Sequence, residues 1–281
     1  GLLPEKAQIT GEVVFQGESL LGRPEESMRE IRGNRIAMIF QDALAALNPV
    51  FTVGDQVAEA ISVHQSLSKK ELKERVIELL DLVGIPNPRR RADEYPHEYS
   101  GGMRQRAMIA MSIANDPALL IADEPTTALD VTIQAQVLEV MERIQARTKS
   151  SIMLITHDLG VVAGITDRIM VMYAGRQMEA GGVDDVFHRS NHPYTLGLMA
   201  SLPRIDRGGG KLYSIAGQPP SLLNLPKGCV YHPRCPYADA DAGCGSVRPE
   251  LQEVGVAHAA ACHRTDALTA VTVDTLLEAA E

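Results

Sequence analysis

LLIADEPTTALD, residues 119–130, decides how the rest of the chain is read. Apolar residues from Ala118 to Ala122 run directly into two carboxylates, Asp123 and Glu124, and then Pro125. A short apolar run of this kind reads as a buried strand. Two acids at its end need a cation or a proton to offset them. Asp123 and Glu124 are therefore candidates for holding a cation and for proton transfer.

Three neighbouring segments supply further parts of such a site. SGGMRQR, 100–106, opens a helix on which Met103, Ala107, Ala110 and Ala114 recur at helical spacing. Ser100, Gly101 and Gly102 at its start expose backbone N–H groups at the positive helix end, which makes an anion site. His157 follows a second buried strand, so it stands at a strand end beside Asp123 and Glu124. Gln41 follows a third, RIAMIF at 35–40.

Outward from these motifs, strands alternate with helices, which predicts an α/β fold with a largely parallel sheet. ITGEVVF at 9–15 is a predicted strand. A helical insert at about 50–115 interrupts the pattern. Within it Leu72, Val76, Leu79, Leu80 and Val83 share one face, Ser68 and Glu71 form a capping box, and Gly84 ends the helix. Strand 118–123 leads to a helix over 131–147, capped by Asp130. RIMVMYAGRQMEAG reads as two strands around a Gly175 turn. Arg89, Arg90 and Arg91 read as a solvated surface. After about residue 190 the chain becomes Pro-rich, with one short helix in HPYTLGLMASLP, a flexible link at GGG, 208–210, and an Ala-rich tail beyond 265. The net charge of −9 and pI near 5.4 argue against a nucleic-acid partner. No apolar run approaches the ~18 residues of a membrane span. The opening residues do not read as a secretory signal, so the expectation is a cytosolic protein able to dock on a membrane partner.

Gln41, Ser100-Gly101-Gly102, Asp123-Glu124, Ala128-Leu129-Asp130 and His157 lie in the order of an ABC-type ATPase: Q-loop, signature, Walker B, D-loop and switch histidine. YPHEYSGGMRQRAMIAM, ITHDLGVVA and HPYT…GQPPSLLNLPKGC…HPRCP resemble the ATPase subunit of oligopeptide/dipeptide importers over nearly the whole chain, and PTTALD and NLPKGC resemble the D-type of its two paired ATPases. The resemblance implies a P-loop NTPase core over 1–188 and a C-terminal oligopeptide-transporter-type extension over 189–281. It also implies ATP and Mg²⁺, with Asp123 and Gln41 attending the metal, Glu124 as base, and Gln41 and His157 at the γ-phosphate. Ser100, Gly101 and Gly102 would grip a partner's nucleotide, and Asp130 would line the contact. The implied partners are a second ATPase, two permeases and, indirectly, a substrate-binding protein, at the cytoplasmic face of a bacterial inner membrane. ALAALNP after Gln41 is less polar than the family's usual string.

A P-loop reads G-x-x-x-x-G-K-[ST]. GGGKL at 208–212 fails it, with Ile205 and Leu212 at the required glycine and hydroxyl positions. GLLPEKAQITGEVVF resembles the end of the family's first helix and the strand after it, so the expectation is a P-loop roughly 11–12 residues, one mean helix, before Gly1. The chain as given is then expected to bind ATP weakly or not at all in cis and to be inactive alone.

The four cysteines, Cys229, Cys235, Cys244 and Cys262, are spaced x5, x8 and x17, without a C-x2-C knuckle. Four thiolates can hold Zn²⁺ or an iron–sulfur cluster, or can remain free thiols. The family resemblance implies a [4Fe-4S] cluster with a structural role, and His232, His258 and His263 are alternative ligands. Two other readings of the whole chain stand beside the importer: a soluble ABC ATPase acting on DNA or ribosomes, and a P-loop-less regulatory partner.

Overall fold

The computed structural model describes residues 3–4, 6–42, 46–127, 129–202, 213–268 and 271–278. Residues 43–45 of ALAALNP, Ala128, the 208–210 glycines with the rest of GGGKL, and the 279–281 end of the tail lie outside the described residues. The chain divides into two compact units, Gly1–His157 and Asp158–Glu281.

The first unit opens with a hairpin, β1 (Val14–Phe15) and β2 (Glu18–Ser19). Gln16 and Gly17 both adopt positive φ, 50° and 83°, the twist a two-residue hairpin turn requires. The strand expected over 9–15 is thus confined to its last two residues. Gly11 turns at φ 96°, and Ile9, Val13 and Val14 are exposed, so strand propensity finds no surface to pack on. Next come α1 (Glu25–Ile31) and β3 (Ile36–Ile39).

The helical insert consists of α2 (Val53–Ser62), α3 (Lys69–Leu82), the single turn α4 (Pro88–Arg91) and α5 (Gly101–Ser112). The Ser68–Glu71 capping box forms at the start of α3, with both reciprocal bonds present. Val76, Leu79 and Leu80 are buried together with Val57 and Ile61 of α2 and Ile109 of α5. Arg89 pairs with Glu74, and Arg90 and Arg91 with Glu94, so the arginine run is a surface ion-pair cluster.

β4 (Leu119–Asp123), α6 (Val131–Thr148) and β5 (Ser151–Ile155) complete the unit. The sheet order is β3-β4-β5, all parallel, with Ile39 opposite Ala122 and Asp123 opposite Ile155. Ala37, Ile39, Leu120 and Ala122 pack in one core with Val137, Val140, Met141 and Ile144 of α6. The other face stays partly open: Met153 is 52% and Ile155 46% exposed.

In the second unit, α7 (Leu159–Ile165) precedes β6 (Arg168–Tyr173) and β7 (Arg176–Gly182), which pair antiparallel around Gly175 at φ 71°. α8 (Val183–His188) and α9 (Pro193–Ala200) follow. β8 (Gln252–Gly255) and β9 (His258–Ala260) extend the sheet in the order β6-β7-β9-β8. Short helices α10 (Thr265–Leu268) and α11 (Val273–Glu278) lie in the tail. The compact units meet at 157/158, whereas the sequence reading divides modules at 188/189; pairing of β7 with β9 groups 168–182 with the later residues. Among the described residues no helix is long and apolar enough to cross a membrane.

Candidate functional site

The parallel register brings the ends of three strands to one edge. β4 ends in Asp123, and Glu124 continues the ladder by donating its N–H to the Ile155 carbonyl at 2.9 Å. Glu124 then turns to φ 46°, a left-handed conformation uncommon for a residue with a side chain. The turn is closed by Thr127 N–H on the Glu124 carbonyl at 3.1 Å.

Three side chains converge on the Glu124 carboxylate. Gln41 Nε2 donates to Oε2 at 2.8 Å, and Thr127 Oγ1 donates to the same oxygen at 2.8 Å. His157 Nδ1 stands 3.3 Å from Oε1. The Thr127 hydroxyl, and after it His157, hold the Glu124 carboxyl below the usual glutamate range. A carboxylate held ionised and oriented at a strand end can accept a proton from water. Asp123 stands beside it, half-buried.

Ser100, Gly101 and Gly102 make no hydrogen bond to this cluster among the described residues. They form a second locus with Asp130. Ser100 caps α5 by accepting from Met103 N–H at 3.3 Å, and Asp130 caps α6 by accepting from Ile133 N–H at 3.0 Å. The two helix starts touch at Gly102: a Cβ there would stand 2.9 Å from Ile133 Cγ2. Gly101 faces open space. Two capped helix N-termini with a bare glycine between them suit an anion presented from outside. Gln105 ties α5 to the acid turn, donating to the Pro125 carbonyl at 2.7 Å.

The four cysteines, free thiols in this structure, line one cavity of the second unit with His192 and His232. The loops that carry Cys229 and Cys244 are joined by Cys229 N–H on the Cys244 carbonyl at 3.0 Å. Gly228 permits this approach, since a Cβ at that position would overlap the Cys244 carbonyl oxygen. Backbone N–H groups point at three sulfurs: those of Tyr231 and His232 at Cys229, Tyr237 at Cys235, and Arg264 at Cys262. Such donors favour a thiolate. Burial outweighs them, raising Cys229 and pushing Cys235 up to about 12 and Cys262 up to about 11. Among the described residues no three His, Cys, Asp or Glu side chains stand in a ready-made metal shell, at the cysteines or at Asp123. The donor set fits a thiophilic cation in its chemistry: four thiols on one cavity, with N–H groups already on three of the sulfurs.

Of the alternative ligands, His258 is buried against Glu179 with Nε2 2.7 Å from Oε1, and His263 Nε2 donates to the Val247 carbonyl at 2.9 Å. Sequence reasoning missed Thr127, Gln105 and His192. Thr127 was findable, because a hydroxyl three residues after Glu124 in a turn returns to it. His192 has no such local signal.

Residues 2–127 match the family model described as ABC transporter, and residues 178–244 match that described as oligopeptide/dipeptide transporter, C-terminal region. The chain is 53% identical over 271 residues to the oligopeptide transport ATP-binding protein OppD of Mycobacterium tuberculosis, covering 96% of this chain and 44% of that protein. It thus spans less than half the length of that relative. It is 49% identical over 271 residues to the putative peptide import ATP-binding protein BOV_A0348 of Brucella ovis, covering 92% of this chain and 80% of the relative. Among solved structures, it is similar to the dimeric ATP-binding cassette MJ0796 in a post-hydrolysis state bound to ADP and Pi. That likeness has a TM-score of 0.56 at 25% identity and covers 62% of this chain and 74% of the other. CbiO1 from Clostridium perfringens, part of the ABC transporter complex cbiONQ, gives 0.56 at 27% identity, with 63% and 68% covered.

Proposed function

We propose, because this chain belongs to the ABC transporter family of ATP-binding proteins and to its peptide-import branch, that it is an ATP-hydrolysing, energy-coupling subunit of an oligopeptide or dipeptide importer. The observation that carries the reading is the Glu124 carboxylate, oriented by Gln41, Thr127 and His157 at the sheet edge. Glu124 accepts the proton of the attacking water, and Gln41 and His157 face the γ-phosphate. Asp123 and Gln41 attend Mg²⁺, which when bound neutralises charge on the phosphates. Ser100, Gly101 and Gly102 grip the γ-phosphate of a nucleotide held by a second ATPase subunit, and Asp130 lines that contact.

Residues 1–281 contain no G-x-x-x-x-G-K-[ST] segment, so this reading takes its phosphate cradle from elsewhere in the working assembly. The open sheet face at Met153 and Ile155 suits cover by such a unit, since parallel sheets are normally covered on both sides. The assembly includes two membrane permeases and, through them, a substrate-binding protein, with this subunit on the cytoplasmic face of the inner membrane. The HPYT-to-cysteine segment favours this over a soluble ABC ATPase.

We further propose that the cysteine cavity holds a [4Fe-4S] cluster, with Zn²⁺ as the alternative occupant; either would staple a module with a small core. A brown preparation with iron and sulfide supports the cluster, and a colourless one with stoichiometric zinc supports the alternative.

ATP-driven peptide uptake by vesicles bearing the transporter tests the main reading. Glu124→Gln is expected to lower ATP turnover by about 10²–10⁴-fold, the worth of a positioned general base. Turnover unchanged by that substitution would remove Glu124 from the role.

A further inference from the structure

The cysteine cavity is lined by a buried group without a hydrogen-bond partner among the described residues. His192 is 1% exposed. Tyr194 N–H donates to its Nδ1 at 3.0 Å, the N-cap bond of α9. A ring nitrogen that accepts carries no proton, so the neutral imidazole has its proton on Nε2. That Nε2 is fully buried and has no hydrogen-bond partner among the described residues, whereas buried polar groups are nearly always paired. The ring lines the same cavity as Cys229, Cys235, Cys244 and Cys262.

The ring is held from several sides. His192 N–H donates to Glu179 Oε2 at 3.1 Å, and Asn191 N–H donates to Oε1 at 2.7 Å. Tyr231 packs against the imidazole with centroids 5.9 Å apart. Turning the ring over would put Cδ2–H where the capping Nδ1 stands and break the cap. The orphaned N–H is therefore a fixed feature of the cavity.

We propose that His192 is a positioning residue of this cavity, its Nε2–H donating a hydrogen bond to a sulfur of the metal–thiolate group that the four cysteines hold. The inference rests on the cysteine reading above. It adds a side-chain donor, from the first residue of the HPYT string, to the backbone donors already on Cys229, Cys235 and Cys262. Outer donors of this kind typically change metal affinity by about 10–100-fold.

The test uses the 281-residue chain loaded with Zn²⁺, or anaerobically with Fe²⁺ and sulfide, in wild-type form and as His192→Asn. Asparagine keeps the N-cap chemistry but is too short to replace Nε2. The variant is expected to release metal to a chelator about 10–100 times more readily. In the wild type, the His192 Nε2–H resonance is expected to shift on loading and to exchange slowly with water. Equal metal retention overturns the inference and leaves the cysteine reading standing. If His192→Asn does not fold, the wild-type resonance decides, and no shift on loading overturns it. A wild-type chain that takes up neither zinc nor iron and sulfide defeats the cysteine reading and this inference with it.

Discussion

Gly102 has no room for a side chain because Ile133 Cγ2 stands 2.9 Å from where its Cβ would be, while Gly101, one residue earlier, faces open space. The two glycines of one motif are thus glycines for different reasons. At Gly102 the requirement is packing of α5 on α6. At Gly101 no described residue demands it, and on the proposed reading the reason is close approach of a ligand.

Gly102→Ala is expected to destabilise the chain by about 1–3 kcal/mol, the usual cost of overpacking. Gly101→Ala sits at a first helical position with space around it. It is expected to leave stability unchanged or raised by about 0.4–1 kcal/mol, yet to impair ATP-driven uptake. Thermal melts of both variants beside uptake assays separate the two roles. A Gly101→Ala protein with full uptake would show that its backbone does not approach a ligand.

The depressed Glu124 carboxyl gives a signed pH effect. Its leading cause is the Thr127 hydroxyl, followed by His157. A group whose folded pKa lies below its unfolded value contributes stability above the unfolded value and loses it as pH falls through the folded one. Thr127→Val is expected to move the Glu124 titration upward, towards the ordinary glutamate range. Carbon-13 NMR of the Glu124 side chain reads this directly, and an unmoved titration would assign the depression to His157 and Gln41 instead.

The capping box at Ser68 offers a test free of the site. Ser68 accepts from Glu71 N–H at 3.3 Å, and Glu71 accepts from Ser68 N–H at 2.9 Å. Ser68→Ala is expected to cost about 1 kcal/mol, a fall of about 2–4 °C in melting temperature for a unit of this size. Differential scanning calorimetry checks it, and no change would mean that α3 is held by its buried face alone.

That helix was legible in the sequence because its signals are local: a cap, a 3.6-residue stripe and a terminal glycine. The acid strand, the Gly175 hairpin and the positions of Gln41 and His157 after strands were legible for the same reason. Residues 9–13 were misleading, since strand propensity there has no partner to satisfy it. Gln105 on Pro125 links residues 20 apart, and His192 depends on loops up to 70 residues away, so no window of sequence displays either. His258 reads from sequence as a spare ligand beside Cys262. Only the pairing of β9 with β7 turns it inward to Glu179.

Glu179 is wholly buried and accepts Asn191 N–H at 2.7 Å and His192 N–H at 3.1 Å, with His258 Nε2 2.7 Å away. It joins a central strand of the second unit to the two residues that lead into α9, and so sets where the His192 ring lies. Removing it leaves two buried backbone donors and an imidazole without their acceptor, a loss of about 3–5 kcal/mol when a buried pair is broken on one side. Glu179→Ala is therefore expected to unfold or loosen the second unit. Glu179→Gln keeps the volume and one accepting oxygen, and is expected to act more locally. Hydrogen exchange at Asn191 and His192 should then rise ahead of exchange in β6, with faster loss of any metal from the cysteines. Unchanged protection of those two amides in Glu179→Gln would mean that one oxygen suffices, and that His258 is the partner for which the carboxylate is kept.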